Sequence, residues 1–173
     1  MNEHDLTVHG VSGFPRDIGA ALWMLEDARR RTMEALENLK DREIDSKPAG
    51  FENSIGSLLY HIAAIEADWL FADILVVSYP DWLTEWFPFD VREEGGVLTP
   101  VTGFTVAQHV ERLAFVRNRF VEAIAGMDDG GYRRENRTPS GVVTPEWALH
   151  HLRQHEAEHR GQIQSVCTAL SLA

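Results

Sequence analysis

The residues with most chemical reach lie near the end of the chain, in His150-His151-Leu-Arg-Gln-His155-Glu-Ala-Glu-His159-Arg-Gly-Gln-Ile163. On a helix turning about 100° per residue, Ala148, Leu152, His155, His159, Ile163, Val166 and Leu170 stay within a sector of about 80°. His155 and His159 therefore stand where leucines would otherwise face a core. A buried imidazole without a partner costs on the order of 1–3 kcal/mol. Residues at i and i+4 have Cβ atoms about 6 Å apart, so two imidazoles can converge on one metal ion. The pair reads as metal-binding; the alternative is two buried histidines bonded to backbone.

His155-Glu156-Ala157-Glu158-His159 also matches the H-E-x-x-H of zinc proteases, in which the glutamate activates a metal-bound water. That chemistry needs a third ligand, normally downstream, and no Glu, Asp or His follows His159. The missing ligand must come from upstream. His61 sits on the edge of an apolar helical stripe with Leu58, Ile65 and Ala72, and His109, beside the stripe of a later helix, is its rival. Glu156 and Glu158 leave the histidine stripe by about 100° per step, which puts them on a solvated face. Their functional alternative is a general base or a carboxylate supporting a ligand. His150 points further from the stripe, and His4 and His9 precede the first helix. Cys167 reads as a small apolar residue, since no cation is placed to lower its pKa.

Four amphipathic helices must position these groups. Ile18, Leu22, Leu25, Met33, Leu36 and Leu39 mark the first, over residues 17–40. Arg29, Arg30 and Arg31 on it, with Glu26, Asp27 and Glu34 around them, read as a solvated, ion-paired face. The second opens at Asn53 or Ser54 and runs through Trp69 to residue 77, with Pro80 beyond it. The third starts at the capping box Thr105-Val-Ala-Gln108, carries Val106, Val110, Leu113, Phe120, Ile124 and Met127, and ends at Asp129-Gly130-Gly131. The fourth has Thr144 as N-cap and Pro145 at its first position. With no convincing strand pattern, this predicts an all-α four-helix bundle spanning residues 1–173 as one domain. The long connection 78–104 between the second and third helices is a crossover packed by Trp82, Trp86, Phe87 and Phe89, or alternatively a substrate lid, with Asp81 capping one short turn. A second, turn-rich connection centres on Pro139-Ser140-Gly141.

The 173 residues carry a net charge of −11 with 44% hydrophobic residues, which suits a globular core and excludes the basic stripe that nucleic acid requires. No apolar run approaches a membrane span, and the first residues lack a secretory pattern. The single cysteine fits a reducing compartment, so the expected location is cytoplasmic.

Ser54-Ile-Gly-x-Leu-x-x-His61 opening a second helix, together with His155-x-x-x-His159-Arg-Gly-Gln-Ile163 on a last helix, resembles the DinB/YfiT-like family of metal-binding four-helix bundles. The resemblance spans the chain from the first helix to the fourth. It implies a metal triad of His61, His155 and His159 for zinc or nickel, and a homodimer acting on a small-molecule substrate. It also implies transfer of a low-molecular-weight thiol, such as bacillithiol or mycothiol, to an electrophile. A metal-activated hydrolase with Glu156 or Glu158 as base is the second reading; a non-enzymatic stress protein is the third. Asp68, two turns beyond His61, is expected to accept a hydrogen bond from a ligand imidazole or to form an ion pair elsewhere. His151 is expected at the pocket rim, Gly161 at a close helix approach, and Arg160 on a thiol cofactor's carboxylate or in a surface ion pair.

Overall fold

A computed structural model of the chain describes residues 7–94, 96–138 and 141–171, so His4, Pro139 and Ser140 lie outside the described residues. Four long helices carry the architecture: α1 (Arg16–Leu36), α3 (Ile55–Asp68), α5 (Val106–Ala123) and α7 (Pro145–Ser171). Among the described residues three short helices lie between them, α2 (Asp41–Ile44), α4 (Trp82–Trp86) and α6 (Asp129–Tyr132). The helix starts obey the local chemistry of their residues. Ser54 accepts from the Ser57 amide, Thr105 and Gln108 form the expected capping box, and Thr144 Oγ1 accepts from the Trp147 amide.

Helix α1 packs along α7, while α3 packs against both α5 and α7. This makes α3 the central helix: every residue from Ile55 to Ala64 is buried. Leu22, Leu25, Leu70, Ile74, Phe120 and Leu152 form one part of the core, and Leu58, Leu59, Ile62, Leu113, Val116 and Ile163 the other. Each such side chain removed from water contributes about 1.5–3 kcal/mol.

Several expectations change at this level. The first helix stops at Leu36, and Leu39 belongs to a turn whose amide bonds the Leu36 carbonyl. The second helix stops being α at Asp68 and continues as a π-helical segment, Trp69–Leu75, that ends at Val76 with φ 55°. Apolar spacing did not distinguish the two winding states here. The Asn136 amide donates to the carbonyls of Asp73 and Ile74, at 2.8 and 2.9 Å, closing the end of that segment. Asn136 belongs to a small antiparallel hairpin, β1 (Asn136–Thr138) with β2 (Gly141–Val143), which sequence patterning did not foresee. Strands of three residues are too short to show alternation.

The 78–104 crossover is packed. Trp86 stacks on Phe115 at 4.0 Å, Trp82 meets Phe71 and Phe115 edge-on, and Tyr60 Oη donates to the Phe89 carbonyl at 2.7 Å. Arg112 donates to the Trp86 carbonyl and lies over the rings of Tyr60 and Phe104. Asp81 makes no side-chain cap on α4, contrary to expectation. Asp41 and Asp45 instead anchor α2 across the fold, accepting from the amides of Val106 and Gly103 at 2.8 Å each. Among the described residues no helix is long and apolar enough to cross a membrane.

Candidate metal centre

His61 lies deep on α3 and is 1% exposed, not at a stripe edge, because α3 has neighbours on every side. His155 and His159 project from α7 toward it and remain partly exposed, so the cluster is open on one side. His155 Nε2 is 3.0 Å from His61 Nε2 and 3.1 Å from His159 Nε2. The three histidines together offer ligand atoms within 4.8 Å of one another.

The protonation chemistry fits a cation better than a hydrogen-bonded knot. Gln162 Oε1 lies 3.1 Å from His159 Nδ1, a contact that suits the tautomer with its proton on Nδ1. In that tautomer the neutral ring of His159 turns a lone pair at Nε2 toward His155. A proton on His155 Nε2 can serve that contact or the one to His61, not both well. One divalent ion could take a lone pair from each ring. Burial also keeps the rings in the metal-binding form. It pushes His61 and His155 down to about 3, helped by the neighbouring imidazoles and by Arg92, and it lowers His159 as well.

The surroundings redistribute the other expected roles. His151 stacks flat on Trp147 at 5.1 Å and packs on Trp69 at 4.6 Å, forming one wall beside His155. Asp68 accepts from the Tyr79 hydroxyl and not from a histidine. Arg160 turns to the Ala28 carbonyl on α1, at 3.4 Å. The charge of Arg92, an exposed crossover residue that donates to the Gly96 carbonyl at 2.6 Å, is the smallest of the causes that lower the three rings, and sequence spacing did not flag it. His109 lies apart from the triad, with Nδ1 3.1 Å from Arg112 Nη1 and Phe104 edge-on to its ring. Burial and the Arg112 charge push it down to about 4. His150 is exposed beside Arg153, and His9 packs on Trp23. Gly161 is exposed, and a Cβ there would meet nothing within 4 Å, so it serves no close helix approach. Cys167 is partly buried, and burial raises its pKa.

Glu156 departs furthest from expectation: it is 2% exposed, on no solvated face. Its Oε1 accepts from Arg29 Nε at 2.7 Å, and its Oε2 lies 3.4 Å from Arg117 Nη2. Both arginines also grip Glu66, Arg29 through Nη2 at 2.7 Å and Arg117 through Nε at 2.5 Å. Arg29 is thus buried too, while Arg30 and Arg31 keep the surface pairs expected of them, with Asp27. The general signal available was weak: a charged residue on each helix next to an apolar stripe. Glu158 is exposed.

A pocket of about 210 Å³ is lined by Ala64, Asp68, Tyr79, Phe87, Phe89 and Val91 among others, and by none of the three histidines. A larger cleft of about 690 Å³ between the ends of α1 and α7 contains none of the three histidines.

The family model of the DinB superfamily matches residues 24–163. The chain is also similar in structure to a conserved protein from Enterococcus faecalis, with a TM-score of 0.65 and 17% identity, covering 88% of this chain and 96% of that one. At that identity the likeness shows a shared fold. No curated protein matches the chain.

Proposed function

The chain belongs to the DinB superfamily, and from that premise we propose that it is a divalent-metal-dependent thiol S-transferase acting as a cytoplasmic homodimer. His61, His155 and His159 would hold zinc or nickel. The observation that carries this reading is the convergence of three neutral imidazoles, with Nε2 atoms 3.0 and 3.1 Å from that of His155, on one partly open spot. A divalent ion at such a site lowers the pKa of a thiol, so that the sulfur reacts as thiolate at neutral pH.

This chain's own residues supply the rest. Gln162 meets His159 at Nδ1 and leaves Nε2 to the site, and the Trp147, His151 and Trp69 rings wall off one side. Arg92 offers a positive charge for a thiol that carries a carboxylate. In the reaction the thiol gives its proton to solvent, the sulfur electron pair forms the S–C bond, and the leaving group departs with the electrons of the bond it breaks. The hydrolase alternative would rest on Glu158, because both Glu156 oxygens face arginines.

The test is turnover of a fluorogenic haloalkane with bacillithiol, mycothiol or a simpler thiol by metal-loaded protein. Conjugation that disappears in His155→Ala supports the reading. Conjugation that persists in metal-free His155→Ala, or its absence with every thiol while metal is bound, overturns it.

A further inference from the structure

The four long helices each place one charged side chain at the same buried point: Arg29 from α1, Glu66 from α3, Arg117 from α5 and Glu156 from α7. All four are at most 7% exposed. Two positive and two negative charges cancel, and every contact crosses between helices. Arg29 further donates to the Leu113 carbonyl on α5 at 2.9 Å. Buried ion pairs of this kind add little net stability over apolar packing, and their best-attested use is to specify register.

Glu156 directly follows His155. One residue along a helix is about 1.5 Å of rise and about 100° of turn. Glu156 therefore faces α1 and α5 while His155 and His159 face His61 on α3. We propose that this four-residue ring sets the rotation and height of α7, making Glu156 a positioning residue for the metal-ligating faces of His155 and His159. The inference rests on the three-histidine reading above. A turn or slide of α7 that kept the apolar seam roughly filled would still carry both imidazoles away from His61. The ring penalises that motion, because it would leave Arg29 and Arg117 sharing Glu66 in the core, with Glu26 reaching Arg117 only from the exposed side of α1 at 3.3 Å.

The experiment uses the whole chain and cobalt(II) as probe, since its visible spectrum reports ligand geometry. Glu156→Gln replaces one acceptor oxygen by a donor facing arginine. The expected result is a folded protein by circular dichroism whose cobalt(II) Kd rises about 10–100-fold, with an altered visible spectrum. The double variant Arg29→Met/Glu156→Met leaves the neutral Glu66–Arg117 pair intact and restores apolar packing. Its thermal midpoint is expected to return toward wild type while its cobalt(II) affinity stays low. A merely structural role predicts that affinity recovers with stability, and that result overturns the proposal. So does a crystal structure of metal-free Glu156→Gln in which His155 Nε2 keeps its 3.0 Å approach to His61, whatever the metal data show. Wild-type protein that binds no cobalt(II), zinc or nickel overturns the metal reading itself.

Discussion

His155 and Glu156 are neighbours in the chain and serve different helices: His155 Nε2 lies 3.0 Å from His61 Nε2 on α3, and Glu156 Oε1 takes a 2.7 Å hydrogen bond from Arg29 on α1. Helix α7 thus turns a histidine face and a buried-charge face about 100° apart into the same bundle. A substitution on one face should be read for its effect on the other.

Elemental analysis of tag-free protein is expected to find about one zinc or nickel per chain, as a three-histidine site demands. His61→Ala and His155→Ala/His159→Ala should each lose it, since two imidazoles or one hold a divalent ion far more weakly. His109→Ala should keep it, because His109 is engaged with Arg112 and stands outside the triad. Full occupancy in His61→Ala would mean that another residue completes the site.

The metal-free protein should lose stability as pH falls below neutrality. His61 and His155 are pushed from 6.5 down to about 3 in the fold, burial being the main cause. Between those values the unfolded chain holds protons that the folded chain does not, so stability decreases as pH drops through about 6.5 toward 3. The limiting slope is about 1.4 kcal/mol per pH unit for each histidine, less for the partly exposed His155. At the acid end Glu66, whose pKa is lowered against burial by Arg117 and Arg29, adds a second loss as it protonates. Urea midpoints at pH 7.5, 6 and 5 should fall in that order, and a flat series contradicts the buried neutral cluster.

Val76→Gly should stabilise the protein. Val76 is 49% exposed and sits at φ 55°, ψ 56°, a left-handed conformation that costs a β-branched residue about 1–2 kcal/mol. Little packing is lost and the strain is relieved, so a net gain of about 1 kcal/mol should remain after the added flexibility of the unfolded chain. Thermal denaturation should show a rise of about 2–4 °C; a fall would mean that Val76 packs more than its exposure implies.

Gly56→Ala should destabilise it. A Cβ there would lie 3.1 Å from Asp45 Oδ1 and 3.2 Å from His109 Nε2. Neither neighbour is free to yield, for Asp45 is bonded to the Gly103 amide and His109 is held by Arg112 and Phe104. A loss of about 1–3 kcal/mol is expected from such crowding. It would appear as a lower urea midpoint, with metal content unchanged because His61 lies more than a turn away. An unaltered midpoint would show that the joint between α2, α3 and α5 gives way.

The long helices were legible because their signals are local. Thr105 with Gln108, Thr144 with Pro145, and apolar residues at three-and-four spacing act within a turn or two of chain. The same periodicity put His155 and His159 on one core-facing stripe of the last helix. Their partner was not legible from spacing: His61 looked like a stripe-edge residue until α5 and α7 enclosed α3, and only the family motif singled it out. Where sequence reasoning failed, the deciding interaction was made between distant segments. Glu156 and Arg29 read as solvated because charge normally seeks water; each is buried only because the other, with Glu66 and Arg117, arrives from a different helix to neutralise it. Asn136 closes a π-helical end some 60 residues earlier, contacting Asp73 and Ile74 at separations of 63 and 62. Local sequence determines which residues wind and which face turns inward, since those energies arise between near neighbours. Which polar groups meet inside is decided by tertiary structure, because desolvation and pairing depend on what the rest of the chain brings to the same point.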